Sequence, residues 1–184
     1  MNKWLYIILA IFLSVLIVLS VRVYGSSRTS DIQDCFVETK EMIVQGNSLE
    51  PLIMPRKTIK VLFGYYSCHE IKREDVVLFD YAASKNPVIK IVKGISGDKF
   101  ELKQSGSGWN IFINDKLAKN SESKPYLITG NAYKMLSLYE KDYKGIIPEN
   151  AYLLLGDRVS GSVDSTTFGL IDKSGIVAKV NPIK

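Results

Sequence analysis

The sequence predicts a mainly β protein carried behind a single N-terminal membrane helix. Three observations point there. One uncharged apolar stretch, Trp4 to Val21, opens the chain. Behind it come short apolar runs rich in β-branched residues, separated by Gly, Asn, Asp and Ser turns. Sustained helical periodicity is hard to find anywhere in the body.

The stretch WLYIILAIFLSVLIVLSV has only Ser14 and Ser20 as polar residues. A helix of that length spans about 27 Å, close to the hydrocarbon core of a bilayer. A cleaved secretory signal has a shorter apolar region and a small-x-small site. Here the run continues into Arg22, Val23 and Tyr24. Residues 1–24 therefore read as an anchor and residues 25–34 (GSSRTSDIQD) as a linker. Lys3 on one side is nearly balanced by Arg22 and Arg28 on the other, so loop charge leaves the orientation open.

Strand-like runs follow at Phe36–Val37, Met42–Val44, Ile59–Phe63, Val76–Tyr81, Val88–Val92, Trp109–Ile113, Ala151–Leu155 and Ile176–Val180. Turn signals between them include Gly46-Asn47, Ser96-Gly97-Asp98, Ser105 to Gly108, Asn114-Asp115, Gly130-Asn131 and Gly156-Asp157. Residues 35–102 and 148–184 read as an antiparallel β core. The more polar residues 103–147 read as a small inserted subdomain between two core strands.

Composition narrows the function. Hydrophobic residues make up 46% and charged residues 23%, a globular balance. The net charge is +5, but residues 1–30 supply +3 of it through Lys3, Arg22 and Arg28. The body lacks the basic excess that neutralising phosphates requires, so no nucleic acid is expected as a partner. Two cysteines, Cys35 and Cys68, and one histidine, His69, cannot complete a four-ligand zinc site. No metal and no cofactor are expected. One disulfide remains open to the cysteines if the body faces an oxidising compartment.

Three segments hold candidate chemistry. In VQGNSLEPLI (Val44 to Ile53), Ser48 sits on a bend that Gly46, Asn47 and Pro51 constrain. It is either a turn former or a nucleophile. In PVIKIVKGISGD (Pro87 to Asp98), Lys90 interrupts an apolar strand. Alternation puts Lys90 and Lys93 on opposite faces, so both should not face the core. Lys90 is either a solvated edge residue or a desolvated amine whose lowered pKa suits a general base. The third segment, GDRVSGSVDSTTFGLI (Gly156 to Ile171), is rich in hydroxyls and holds Asp157 and Asp164. A Ser-His-Asp triad would need His69, which sits in a polar Cys-His-Glu patch. A Ser-Lys dyad needs no histidine, and the strand lysine fits it.

The segments together resemble bacterial signal peptidase I, the membrane-bound serine–lysine leader peptidases. The family pattern G-x-S-M-x-P reads G-N-S-L-E-P here, and G-D-I-V-V-F reads E-D-V-V-L-F (Glu74 to Phe79). The pattern I-K-R-V-V-G-L-P-G-D reads I-K-I-V-K-G-I-S-G-D, and G-D-N-R-x-x-S-x-D-S-R-x-x-G reads G-D-R-V-S-G-S-V-D-S-T-T-F-G. Smaller echoes are I-N-D-K-L, Pro125-Tyr126-Leu127 and Pro148-Glu149-Asn150. With the anchor, the likeness covers nearly the whole chain in order. Leu49, Ile91, Ser96, Arg158-Val159 and Thr166 depart from the pattern. Thr166 stands where the family has an Arg expected to pair with Asp164, so that ion pair is not expected.

The resemblance implies Ser48 as nucleophile, Lys90 and not Lys93 as base, Ser162 as the hydroxyl that orients Lys90, and Asp164 as a structural acid. It implies an ester acyl-enzyme, with the Ser48 backbone N–H serving the oxyanion. A second donor two residues earlier is not available as a hydroxyl, because that residue is Gly46. The implied partners are exported precursor proteins with signal peptides, bound as extended chains with small residues before the cut, the lipid bilayer, and the secretion machinery. The implied location is the cell membrane, single-pass, with the catalytic domain on the extracytoplasmic side. The segment Ile59–Tyr66 lies either against lipid or in the core. The departures favour a specialised member, such as a processing peptidase for a pilin. A catalytically silent peptide-binding module is the reading from a different class.

Overall fold

The computed structural model describes residue 4, residues 37–80 and residues 87–182. The chain divides into a unit of residues 1–34 and a unit of residues 35–184. Apart from residue 4, the expected anchor lies outside the described residues, as do the linker, Cys35 and Phe36. Among the described residues no helix is long and apolar enough to cross a membrane.

The body is built on two antiparallel sheets. The larger contains β1 (Glu38–Ile43), β2 (Thr58–Phe63), β3 (Val76–Phe79), β4 (Val88–Gly94), β9 (Ala151–Leu155), β10 (Ile171–Asp172) and β11 (Ile176–Pro182). Its spatial order is β1-β2-β11-β3-β4-β9-β10, and every pairing is antiparallel. The smaller sheet contains β5 (Phe100–Ser105), β6 (Gly108–Ile113), β7 (Lys116–Leu117) and β8 (Leu127–Ile128). Among the described residues two α-helices, α1 (Gly130–Asp142) and α2 (Ser165–Phe168), and two 3-10 turns, Tyr65–Ser67 and Lys173–Gly175, complete the body.

Alternation explains why the central strands read as unbroken apolar runs. In β3, Val76 and Leu78 join one apolar cluster, with Leu49, Ile53, Ile59 and Ile91. Val77 and Phe79 join a second, with Val92, Leu154 and Ile176. Both faces of the strand are covered, so no position is left for a polar residue. In β9, Leu154 joins the second cluster while Leu153 and Leu155 join a third, with Phe100, Ile111, Tyr126 and Leu136. Strand β9 thus welds the smaller sheet to the larger. Segment Ile59–Tyr66 takes the core side of its two readings: β2 lies between β1 and β11, with Ile59 and Val61 buried.

The structure adds elements that the sequence does not announce. Helix α1 begins at the Gly130-Asn131 pair that reads as a turn. Only Leu136 is buried along it, with Ala132 and Tyr133 partly buried one turn before, so its apolar stripe is short. Strand β5 carries Glu101, Lys103 and Gln104 outward, and only Phe100 is buried. The Asn114-Asp115 turn does appear. It joins β6 to β7 with both residues at positive φ, 49° and 63°, as a two-residue hairpin turn requires.

Beside this hairpin lies a buried carboxylate, Asp98. Arg73, the Ile95 N–H at 2.9 Å and Asn114 at 2.7 Å all donate to it. Burial pushes its pKa up, but those donors outweigh burial and hold it below the ordinary carboxylate range. Asp98→Ala should cost about 2–3 kcal/mol of stability, because it orphans these donors. Thermal unfolding at pH 7 measures this, and an unchanged Tm would refute the role.

Candidate active site

Strand β1 ends at Ile43, and the chain turns back on itself before β2. Val44 closes that loop, its N–H donating to the Lys57 carbonyl at 3.0 Å and its carbonyl accepting from Arg56 at 2.7 Å. Inside it, the Glu50 N–H reaches the Asn47 carbonyl at 3.1 Å. Leu49 is 1% exposed and pins the turn to the core, so leucine fills the place of the methionine in the family pattern. Ser48 is left half-buried at the bend, facing a cavity of about 230 Å³. Val44, Leu49, Ile59, Leu78 and Ile89 give that cavity apolar walls.

Lys90 reaches the same cavity from β4. It is 2% exposed. Its Nζ lies 2.9 Å from Ser48 Oγ and donates to the Ile89 carbonyl at 2.8 Å. Burial lowers its pKa to about 8, with the Asp164 charge opposing. Lys93 is also buried, 7% exposed, contrary to the expectation that only one of the two would be. Apolar clusters cover both faces of β4, one holding Ile91 and the other Val92, so burial is open to both lysines. Lys93 is paired: its Nζ meets Glu74 at 2.7 Å and the Lys119 carbonyl at 3.0 Å.

The loop after β9 closes the site. Gly156 donates its N–H to Asp164 Oδ2 at 2.9 Å and accepts the Tyr126 hydroxyl at 2.8 Å. A Cβ there would lie 2.6 Å from the Ser48 carbonyl oxygen and 2.3 Å from Ser162 Oγ. Only glycine permits so close an approach. The next-but-one residue, Arg158, donates its N–H to that same Ser48 carbonyl at 3.1 Å. Asp164 caps α2, taking the Thr166 N–H at 3.0 Å and the Thr166 hydroxyl at 2.7 Å. Thr166 thus offers a neutral hydroxyl where the family has an arginine.

Ser162 does not make the bond to Lys90 that the resemblance implies. Its Oγ is buried beside Gly156 without a hydrogen-bond partner. His69 serves elsewhere: its ring stacks on Tyr65 at 4.0 Å and contacts the Tyr65 carbonyl at 2.9 Å. Cys68 is disulfide-bonded, and Cys35 lies outside the described residues. Among the described residues, no group of three His, Cys, Asp or Glu side chains is placed to hold a metal ion. In the sequence, Gly156-Asp157 reads as a turn that opens the hydroxyl-rich segment Gly156 to Ile171, with Asp157 one of its two acids. The turn's further work, meeting Ser48, shows in no local pattern except a glycine directly after an apolar strand.

The profile of the family described as signal peptidase, peptidase S26, matches residues 2–183. Signal peptidase IB of Staphylococcus aureus (strain COL) is 31% identical over 150 residues, which cover 75% of this chain and 73% of that protein. Signal peptidase I of Bacillus caldolyticus is 28% identical over 142 residues, covering 76% and 75%. The crystal structure of a signal peptidase I from Enterococcus faecalis V583 aligns with a TM-score of 0.45 and 20% identity, over 61% of this chain and 98% of that one. With the family profile spanning almost every residue, the chain belongs to the signal peptidase I family of S26 peptidases.

Proposed function

We propose that this chain cleaves signal peptides from exported precursors as a serine endopeptidase with a Ser48–Lys90 dyad. The observation that carries the reading is a dry amine 2.9 Å from a serine hydroxyl at the wall of a small apolar cavity. Family membership supports the substrate class.

In its neutral form the Lys90 amine has two N–H groups and one lone pair. The lone pair accepts the Ser48 hydroxyl proton as Oγ attacks the scissile carbonyl. The Ser48 backbone N–H serves the oxyanion, a contribution of about 2.7–4 kcal/mol for one good donor. Lys90 then gives that proton to the departing nitrogen as the tetrahedral species collapses, which releases the new amine, leaves an ester on Ser48 and returns Lys90 to its neutral form. Lys90 then takes a proton from water, which hydrolyses the ester. One amine N–H is held by the Ile89 carbonyl. We assign the second to Ser162, whose buried Oγ lacks a partner in the resting site. Asp164 is assigned a structural role, fixing Gly156 and the start of α2.

The substrate is proposed to lie extended along the free edge of β1, adding a strand. The cavity volume favours small side chains before the cut. Residues 4–21 are proposed to tether the body to the outer face of the cytoplasmic membrane, where exported precursors and the secretion machinery meet it. The uncharged length of that segment and the exposed apolar Ile43, Leu52 and Met54 support this.

Ser48→Ala and Lys90→Ala should each lower precursor cleavage by about 10⁴-fold or more, as for removal of one member of a catalytic unit. Lys93→Met should retain kcat. Cleavage at the wild-type rate in Lys90→Ala would sink the dyad.

Because the amine is protonated below about pH 8, kcat/KM should rise about tenfold per pH unit up to there and then level off. The same shift acts on stability. The native state carries the full penalty below pH 8, and the penalty fades as pH approaches the unfolded value of 10.5. Lys90→Met should therefore stabilise the fold at pH 7 by on the order of 3 kcal/mol, with the gain shrinking toward pH 10. Parallel Tm measurements at pH 7 and pH 10 check the sign.

Gly156→Ala should abolish cleavage although neither Ser48 nor Lys90 is substituted, since the new methyl displaces the Ser48 carbonyl. Cleavage assays on the purified variant decide this. A fully active variant would show that the contact is not needed.

A further inference from the structure

The smaller sheet reaches the candidate site through a short loop, residues 120–126, between β7 and β8. Ser121 donates its N–H to Asp157 Oδ1 at 2.8 Å and its hydroxyl to Oδ2 at 2.5 Å. Asn120 Nδ2 donates to the Asp157 carbonyl at 3.0 Å. The Asn120 Oδ1 accepts the N–H groups of Glu122 at 3.0 Å and Lys124 at 2.9 Å, which fixes the loop. The Tyr126 hydroxyl donates to the Gly156 carbonyl at 2.8 Å. Four bonds from one loop thus converge on two consecutive residues of another.

Those two residues border the nucleophile. Asp157 Oδ2 accepts the Leu52 N–H at 3.1 Å, and the Gly156 Cα packs against the Ser48 carbonyl. Asp157 is 0% exposed and pairs with no cation among the described residues. Among the described residues, its carboxylate takes donors only from the Ser48 loop and the smaller sheet. A buried carboxylate supported this way loses its preferred position when a donor is removed. Tyr126 is a fixed donor, because burial and the Asp157 and Asp164 charges push its hydroxyl pKa up.

We propose that Ser121 and Tyr126 are positioning residues for the nucleophile, holding Ser48 in register with Lys90 through Asp157 and Gly156. This rests on the Ser–Lys reading above.

The test uses the full chain in detergent micelles, with Ser121→Ala, Tyr126→Phe and Ser121→Thr. Loss of either hydroxyl should lower kcat on a precursor by about tenfold to a hundredfold, the cost of a small misplacement. KM should stay within about twofold, and the acidic limb should stay near pH 8, because Lys90 is untouched. Ser121→Thr should restore kcat. Hydrogen exchange gives an arm that needs no activity. In Ser121→Ala the Leu52 amide should exchange about tenfold faster. The Phe100 amide, bonded to Gly145 at 2.7 Å in the same smaller sheet, should not change. Equal acceleration at Phe100 would mean a loosened sheet and would overturn the proposal. Wild-type kcat in both Ser121→Ala and Tyr126→Phe, with Ser48→Ala dead, would overturn positioning and leave the dyad standing. If instead the wild-type chain cleaves nothing, the dyad reading fails, and the Leu52 exchange rate alone decides the coupling.

Discussion

Taking an ammonium group out of water is among the costlier things a fold can do, and this one does it without bonding a carboxylate to the amine. Among the described residues, Lys90 finds only a hydroxyl and a carbonyl within hydrogen-bond reach. Its surroundings favour the neutral amine, which is the form that can accept a proton. Much of the body serves this constraint. Strands β3 and β4 are covered on both faces, the turn at Ser48 is nailed down by Leu49, and the loop after β9 seals the far side. Lys93, three residues on, shows the ordinary alternative: a buried amine paired with the carboxylate of Glu74.

The second constraint is mechanical. A serine on a turn between two strands has freedom that a strand residue lacks. Here that freedom is removed from outside the turn, by the backbone of Gly156 and Arg158 against the Ser48 carbonyl and by Asp157 on Leu52. The two sheets meet at this junction. Leu153 and Leu155 of β9 enter the core of the smaller sheet just before the chain reaches Gly156. Packing and chemistry are therefore continuous along five residues.

Legibility in the sequence followed burial. Strands β2, β3, β4, β6, β9 and β11 are visible because apolar β-branched runs are what a two-sided core demands. Strand β5 and helix α1 hide because each buries little, and their polar faces look like loop. In the site, Ser48 and Lys90 stand out locally, one as a serine on a constrained bend and the other as a charge in an apolar strand. Ser162 carries no such mark, and its unpartnered hydroxyl is visible only in three dimensions. Ser121 and Tyr126 were beyond reach for a different reason. Their partners lie about thirty residues away, and a short loop of polar residues is the commonest pattern there is.

The margin of the larger sheet has a consequence for how this body behaves in a crowd. Among the described residues, strand β1 has one side without a neighbour, and all six of its residues are exposed. Such a strand invites copies of itself to stack edge to edge into fibres. Its first four residues, Glu38, Thr39, Lys40 and Glu41, are polar, with Lys40 bridging Glu38 at 3.0 Å, and they discourage that stacking. Its last two, Met42 and Ile43, carry no charge and abut the cleft at Ser48. The end of the strand that resists amyloid-like pairing is thus the end away from Ser48, and the uncharged end is the one beside it.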